Sequence, residues 1–329
     1  MFAWGFRIGC LAGLLGLAGE PAAANDSQAA FGLGGLTLVR SADIRMDSEV
    51  LSISEERITV DYVFTNASSR DVDTLVAFPL PDVDNGIEVF TPDYVNELDF
   101  RTVIDGQPAA LELVQIARFG GRDITARLQR LGVPPMPVGT FDAAINALDP
   151  ATRQAMIAEG LIEEYGSGGK QTLWAAHWTT ATSVTRRQVF PAGRSVSVSH
   201  SYKPFTGGSV GGRLDPGNRK TREFAEARTK YCIDDAFIQG FDRKRAAAAK
   251  TGSYHGETWI SYVLTSGANW KGPIGQFRMI VDKGHPDALI SYCATGVRKT
   301  GPTRFEVAYQ NYVPRQDIHI LIVKFHQDP

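Results

Sequence analysis

The sequence has 329 residues, of which 43% are hydrophobic and 21% are charged. This composition is that of a globular protein and excludes a disordered or collagen-like chain. Lysine and arginine together number 34 and acidic residues 36, so the net charge of −2 indicates neither nucleic acid nor an anionic membrane surface as a partner. The 33 glycines and 17 prolines favour many turns and a β-rich fold.

The first 24 residues have the pattern of a secretory signal peptide. Arg7 precedes an uncharged, largely apolar run over residues 8–18, and three small residues at 22–24 follow. This pattern predicts cleavage near Ala24 and Asn25. The run is shorter than the roughly 20 residues that a membrane-spanning helix needs, and no later segment reaches that length. We therefore expect a periplasmic or secreted protein with no transmembrane segment in the mature chain.

Export changes how the cysteines are interpreted. Cys10 leaves with the signal peptide, so the mature chain keeps only Cys232 and Cys293. In an oxidising compartment, an isolated pair most simply forms one disulfide bond, and two free buried thiols are the alternative. The chain-entropy model gives a stabilisation of about 4 kcal/mol for a loop of this length.

Residues 25–120 are predicted to form an N-terminal β region. Apolar and polar residues alternate from Ile58 to Phe64, which is typical of a half-buried strand. A second strand is predicted over residues 74–78, and it ends at Pro79 because proline cannot donate to the ladder of hydrogen bonds. Asp105 and Gly106 predict a tight hairpin.

The hydrophobic period changes between residues 121 and 165, which predicts a helical insertion assigned to residues 121–169. Asp123 is a candidate N-cap for a short helix, and a second helical stretch covers residues 141–148. Asp149 followed by Pro150 has the pattern of an N-cap and first helical residue, and Gly160 that of the residue just after a helix.

Residues 170–329 are predicted to form a C-terminal β region that contains a polar helical segment at about 218–250. Its clearest strand is residues 194–202, where serines alternate with Val196, Val198, His200 and Tyr202. Short strands recur from Trp259 onward, separated by glycine and proline turns. The predicted fold class is therefore mainly β, an antiparallel β-sandwich-like architecture with two small helical insertions.

No motif of catalysis or cofactor binding is found in the sequence. The glycine-rich stretch 207–212 lacks the lysine of a phosphate-binding loop, and we expect a flexible connector there. The histidines have no metal-ligand spacing, and no serine lies in a nucleophile elbow. We predict no catalytic, cofactor-binding or metal-binding residues.

Two kinds of side chain are nevertheless candidates for binding. His200 lies among apolar residues of its strand; a half-buried core histidine is the usual outcome, and a general base paired with a distant carboxylate is the alternative. Four tryptophans, Trp174, Trp178, Trp259 and Trp270, could stack on sugar rings if they were exposed on one sheet face, although aromatic residues on strands more often belong to the core. Of these side chains, His200, Trp174, Trp178 and Trp270 are the binding candidates.

Several sequence blocks resemble one bacterial family. They include Asn25-Asp26-Ser27, the segment Val76 to Pro81, His200 to Pro204, Tyr231 to Asp234 and Asn269 to Gly275. The chain is similar over nearly its whole mature length to the exported proteins catalogued as domain of unknown function 4424. The resemblance implies an envelope location and a mostly β fold, and it supplies no accepted catalytic residue. A shorter segment, residues 58–81, resembles the opening of vault/inter-alpha-trypsin-type β domains, which are interaction modules.

These observations leave several functional hypotheses. The leading one is a non-catalytic binding or interaction module of the cell envelope, without a cofactor, whose partner is an envelope protein or glycan. The alternatives are a periplasmic hydrolase that uses His200 with a distant carboxylate, a glycan-binding protein that uses exposed tryptophans, and a structural envelope component.

Overall fold

A computed structural model describes residues 25–32, 35–86, 92–94, 96–169, 171–210 and 212–326. The signal peptide expected over residues 1–24 lies outside the described residues. Strands predominate, which confirms the mainly β fold class. No helix in the described ranges combines the length and the hydropathy needed to cross a membrane.

The secondary structure elements are numbered in chain order. The strands are β1 (Ser27–Gly32), β2 (Gly35–Val39), β3 (Ile44–Ile53), β4 (Ile58–Asn66), β5 (Val72–Pro79), β6 (Val83–Asp84), β7 (Arg101–Ile104), β8 (Gln107–Pro108), β9 (Glu112–Phe119), β10 (Arg122–Asp123), β11 (Ile162–Gly168), β12 (Gln171–Ala176), β13 (Thr179–Phe190), β14 (Ser195–Tyr202), β15 (Gly207–Ser209), β16 (Tyr254–Tyr262), β17 (Ile274–Asp282), β18 (Leu289–Tyr292), β19 (Arg298–Lys299), β20 (Arg304–Tyr312) and β21 (Ile318–His326). The helices are α1 (Thr125–Arg130), α2 (Phe141–Ala147), α3 (Pro150–Ala158), α4 (Arg222–Lys230) and α5 (Asp235–Ala248), with 3-10 turns at Pro216–Asn218 and Thr265–Asn269.

In the part of the chain that the structure describes, the strands form three larger sheets and one hairpin. Sheet I has the order β10-β9-β13-β5-β1-β2, with β6 also paired to β13. Sheet II has the order β19-β20-β17-β3-β4-β14-β7-β8, sheet III the order β15-β16-β21-β18, and β11 pairs with β12. Strand β17 runs parallel to β3. Strands from before residue 120 and after residue 170 therefore share sheets I and II.

The main core lies where the inner faces of the three sheets meet. Along β4 and β14, buried residues alternate with accessible ones, as the sequence pattern predicts. Phe64 and Val198 contribute from sheet II, Phe78 from sheet I and Ile320 from sheet III, all with no exposed surface. Removal of these apolar side chains from water is the dominant favourable term for this packing.

The helical insertion has a core of its own. Helices α1 to α3 and the β11–β12 hairpin surround a second apolar cluster that includes Trp174 and Trp178. The predicted cap of α3 is confirmed: the Asp149 carboxylate accepts a hydrogen bond from the Thr152 backbone N–H at 2.9 Å, and Pro150 is the first helical residue. Gly160 follows the helix with a φ of 75°, a conformation that glycine adopts without strain.

Helices α4 and α5 pack on the outer face of sheet III. Strand β21 is buried on both faces, because Ile320 and Ile322 point into the main core while Leu321 and Val323 pack against Phe241 and the other helical aromatics. The predicted disulfide is confirmed, since Cys232, just after α4, bonds to Cys293, just after β18.

Candidate functional site

A groove opens beside sheet III, where the end of β14, the edge strand β15 and the end of α4 come together. Its volume is about 540 Å³, within the range of about 300–1,000 Å³ that is usual for small-molecule sites. We call it the aromatic groove. Its lining includes the apolar residues Leu80, Pro81, Val83, Tyr94, Leu98, Tyr202, Phe205, Tyr231 and Trp259 and the polar residues Asp82, Asp84, Lys230 and Ser261.

A glycine allows the groove wall to form. Gly207 pairs with Trp259 across β15 and β16. A Cβ atom on Gly207 would lie 2.7 Å from the indole of Trp259, so any other residue would force the indole to shift. The stretch that we expected to be a flexible connector therefore begins as a paired edge strand, because the glycine has no side chain to clash with the indole.

The aromatic side chains of the groove are held by contacts with one another. The Tyr94 hydroxyl donates to the Pro81 carbonyl at 3.1 Å, and the Tyr94 and Phe205 rings meet edge-to-face with centroids 4.8 Å apart. Tyr202 stacks on Phe100 at 5.2 Å. Such pairs restrict ring motion, so the groove presents a preformed apolar wall.

The groove carries both acidic and basic groups. Burial raises the pKa of Asp82, and Asp84 raises it further while Arg118 opposes the change. Burial also lowers the pKa of Lys230, with a further contribution from Arg213. The Lys230 ammonium lies 5.7 Å from the centre of the Tyr231 ring. A ligand that offers an anionic group to Lys230 would partly offset the burial of this amine.

A serine–histidine pair adds a polar feature to the groove. Ser261 and His319 are directly opposite each other on β16 and β21, and Ser261 Oγ lies 3.0 Å from His319 Nδ1. Burial lowers the pKa of His319, Lys230 adds to the effect, and Asp317 opposes it. The imidazole is therefore neutral at neutral pH, and the pair offers hydrogen bonds without a charge.

A second depression of about 690 Å³ shares Lys230, Tyr231 and Trp259 with the aromatic groove. Here the Arg213 guanidinium lies over the Trp259 ring, 4.5 Å from its centre. The Trp259 indole N–H donates to Glu257 at 3.3 Å. Trp259 is thus fixed by a cation–π contact and a hydrogen bond, and it forms part of the lining of both depressions.

A cavity of about 800 Å³ lies elsewhere, on sheet I along β1, β5 and β13. Its lining includes the small side chains of Ala29 and Ala30, and two of its arginines are already paired. Arg187 contacts Asp73 and Arg186 contacts Asp26. Both arginines of this cavity are therefore engaged, whereas Lys230 of the aromatic groove forms no ion pair within the described residues.

A separate set of polar residues is buried where the sheets meet. We call it the N-terminal cluster, and it consists of Asn25, Asp26, Glu49, Arg186 and His200. All five are less than 5% exposed. Arg186 holds Asp26 with two hydrogen bonds, of 3.1 and 2.6 Å. Burial alone would raise the pKa of Asp26, but the charge of Arg186 and the contact with His200 bring it well below its ordinary value.

His200 lies inside this cluster. Its Nε2 lies 3.1 Å from Asp26 Oδ2, and its Nδ1 lies 2.8 Å from Thr102 Oγ1. A carboxylate, an imidazole and a hydroxyl are thus aligned in the order used by hydrolases. The imidazole is enclosed by the rings of Tyr62, Phe78 and Phe100, and its side chain is 0% exposed.

The distant carboxylate that we postulated for His200 is therefore Asp26, but the site has no access for a substrate. Neither His200 nor Thr102 lines any of the cavities described above. Burial lowers the pKa of His200, with Asp26 opposing, so the imidazole is neutral. The arrangement gives the Asp26 carboxylate and His200 Nδ1 hydrogen-bond partners inside the core.

The three tryptophans singled out from the sequence are also buried. Trp174, Trp178 and Trp270 are 6%, 1% and 3% exposed. Their indole N–H groups donate to Asn146, to the Pro135 carbonyl and to the Asp26 carbonyl, respectively. Stacking on a sugar requires an exposed ring face, which these side chains do not offer, because all three are packed into the two apolar cores.

The structure brings together other residues that the sequence did not single out. Tyr94, Lys230 and Ser261 come from separate elements, and no local motif marks them. Trp259 was considered for stacking on sugar rings but was not among the binding candidates. The alternation of β16 could have indicated that it points away from Ile260 and the main core, but the sequence does not show what covers that face.

Comparison with known proteins assigns the chain to a protein family. The sequence profile of the family described as domain of unknown function, DUF4424, matches residues 24–321. The chain belongs to this family. No curated protein matches it.

Two of the solved structures to which the chain is similar match it at low sequence identity. A "putative nutrient binding protein" from Legionella pneumophila is 14% identical, with a TM-score of 0.46, and the match covers 91% of this chain and 70% of that one. An M1 zinc metallopeptidase from Deinococcus radiodurans is 8% identical, with a TM-score of 0.21, and the match covers 86% of this chain and 43% of the peptidase.

Proposed function

We propose that this family member is an exported, non-catalytic binding protein of the cell envelope and that the aromatic groove holds its ligand. The observation that carries the proposal is the groove itself. A preformed, largely aromatic wall lies beside Asp82, Lys230 and Ser261, which is the usual composition of a ligand pocket. The export signal over residues 1–24 and the disulfide support an envelope location.

The groove also defines the chemistry of the ligand. Aromatic residues such as Tyr94 and Phe205 accept an apolar group or the flat face of a ring, and Lys230 accepts an anionic group. We therefore propose an amphipathic ligand with a carboxylate. Peptidoglycan fragments combine sugar rings with carboxylates, so they are the first probes to use.

The geometry around His200 favours a hydrolase less than it favours a binding protein. A general base must reach the substrate proton within hydrogen-bond distance, and His200 is enclosed by aromatic rings. The glycan-binding alternative remains compatible with the groove, but it depends on Trp259 and the tyrosines instead of the three buried tryptophans.

Intrinsic fluorescence tests the proposal. After loss of the signal peptide the chain has four tryptophans, and Trp259 is the one that lines the aromatic groove. Titration with muropeptides should change the emission of the mature protein, and Trp259→Phe should remove most of that change while calorimetry still detects binding. A neutral disaccharide and an uncharged peptide amide are the comparison ligands.

Absence of binding by every probe, in both fluorescence and calorimetry, would contradict the proposal. Binding that survives unchanged in Lys230→Met and in Tyr94→Ala would show that the ligand lies elsewhere. Hydrolysis of a probe during the titration, detected by mass spectrometry, would show that the protein is an enzyme and would contradict the proposal of a non-catalytic binding protein.

A further inference from the structure

The backbone nitrogen of Asn25 lies inside the fold. It donates a hydrogen bond to Ser266 Oγ, and the Ser266 hydroxyl donates in turn to the Asn25 carbonyl at 2.6 Å. The Asn25 side chain accepts from the Tyr62 hydroxyl and donates to Glu49. The peptide bond at which we expect the signal peptide to be removed therefore ends on a nitrogen that is buried and held in place.

Glu49 contacts the side chain of Asn25, and one of its two carboxylate oxygens lacks a donor. Its Oε2 accepts from Asn25 Nδ2 at 2.9 Å. Its Oε1 is buried and has no hydrogen-bond partner within the described ranges. The residue is 0% exposed, and a buried carboxylate oxygen without a donor is destabilising.

The charged neighbours of Glu49 do not supply a counter-charge. Arg186 is engaged by Asp26, His200 is neutral because burial lowers its pKa, and the hydroxyls of Tyr62 and Tyr262 carry no positive charge. Among the residues that the structure describes, no lysine or arginine forms an ion pair with Glu49. The N-terminal cluster therefore has two acids and one cation.

We propose that cleavage between residues 24 and 25 creates an α-ammonium group at Asn25 that stays in the fold and forms an ion pair with Glu49. This inference depends on the proposed export signal and not on ligand binding. Hydrolysis adds the hydroxyl of water to the carbonyl carbon of residue 24 and a proton to the Asn25 nitrogen. The freed amine takes one further proton and becomes an ammonium.

The ammonium fits the position because it has three N–H donors where the amide has one. One donor stays on Ser266 Oγ, and the others can reach Glu49 Oε1, since the Asn25 side chain already contacts the same carboxylate. Before cleavage, burial raises the pKa of Glu49 to about 8, with a further rise from Asp26. After cleavage, the adjacent positive charge favours the ionised carboxylate.

The precursor and the mature protein thus differ inside the core as well as at the end of the chain. Cleavage supplies the missing cation to a site that contacts strands of all three sheets, namely β3 and β4 of sheet II, β13 of sheet I and β16 of sheet III. The chain reaches its full stability only after processing.

A double-mutant cycle tests the ion pair. Four proteins are compared by thermal unfolding: one that begins at Asn25, one with a Gly-Ser extension before Asn25, and each of these with Glu49→Gln. With the free amine, Glu49→Gln should lower the Tm by about 5 °C, because it leaves a buried charge unpaired. With the extension, the same substitution should leave the Tm unchanged or raise it.

Additive effects in the cycle would overturn the ion pair, since a merely steric effect of the extension does not depend on Glu49. If an extended protein fails to fold, the reactivity of the Asn25 α-amine towards an acylating reagent tests the proposal instead. Acylation of the folded mature protein at Asn25 should be at least about tenfold slower than acylation of the same protein in denaturant, and equal rates would refute the proposal. N-terminal sequencing of the exported protein tests the cleavage site separately, and a first residue other than Asn25 would also overturn it.

Discussion

The N-terminal cluster and the aromatic groove both combine aromatic rings with charged groups, yet they differ in access. In the cluster, Asp26, Arg186 and His200 are buried, and Asp26 contacts both of the others. In the groove, Lys230 and Asp82 are exposed beside an open cavity. Charged residues thus stabilise the junction of the sheets in one place and remain available to a ligand in the other.

Of the substitutions considered, removal of Arg186 from the N-terminal cluster should reduce the free energy of unfolding most. Arg186→Met leaves the Asp26 carboxylate buried without its cation, which costs about 3–5 kcal/mol of unfolding free energy. Urea denaturation followed by circular dichroism measures the change.

Arg187→Met is the matched control, because the neighbouring arginine faces the other side of β13 and its side chain is 72% exposed in its contact with Asp73. We expect a change below about 0.5 kcal/mol there. Equal losses in the two variants would show that the buried pair has no special role.

The pH dependence of the unfolding free energy should also distinguish the N-terminal cluster from the aromatic groove. In a protein extended before Asn25, the pKa of Glu49 is raised to about 8 in the folded state and is about 4.3 when unfolded. Between these values the folded state binds the extra proton, so stability is full below about pH 4 and falls as the pH rises towards 8.

The expected decline is on the order of 5 kcal/mol across that window, because each unit of pKa difference contributes about 1.4 kcal/mol. Denaturation midpoints at a series of pH values should show it, and Glu49→Gln should flatten the curve. A slope that persists in the Glu49→Gln protein would assign it to another group.

Substitutions in the aromatic groove should change the affinity for ligand and leave the stability of the fold unchanged. Lys230→Met removes the cation from the groove and should weaken muropeptide binding about tenfold, which equals about 1.4 kcal/mol, while the unfolding free energy changes by less than about 0.5 kcal/mol. Isothermal calorimetry measures the affinity. Lys250→Met, on an exposed lysine after α5, is the control, and an equal loss there would indicate a general charge effect.

The smallest expected effect comes from a substitution that lies outside both the N-terminal cluster and the aromatic groove. Asp149→Ala removes the cap of α3 and should cost about 1 kcal/mol, with no change in muropeptide affinity and no change in the pH curve. Altered binding in this variant would mean that the helical insertion communicates with the groove.

Local features of the fold were predictable from the sequence because they depend on neighbours in the chain. Asp149 and Pro150 are adjacent and specify a helix start, and the alternation along β14 specifies a half-buried strand. The Cys232–Cys293 pair followed from counting the cysteines that remain in a chain expected to be exported.

The composition of both sites was not predictable, because each joins residues that are far apart in sequence. Asn25 meets Ser266 across 241 positions, and no local pattern distinguishes a buried Trp178 from the groove residue Trp259. The burial of His200 was the expected outcome, but its partner Asp26 lies 174 positions earlier in the sequence.

The disulfide has a consequence for the groove. Lys230 and Tyr231 directly precede Cys232, and the Tyr231 carbonyl accepts a hydrogen bond from Ser291 of β18 at 2.8 Å. The covalent link therefore fastens one wall of the cavity to the edge of sheet III. For the ligand proposed above, affinity should therefore depend on the oxidation state of the two cysteines, because reduction would release that wall from its covalent link.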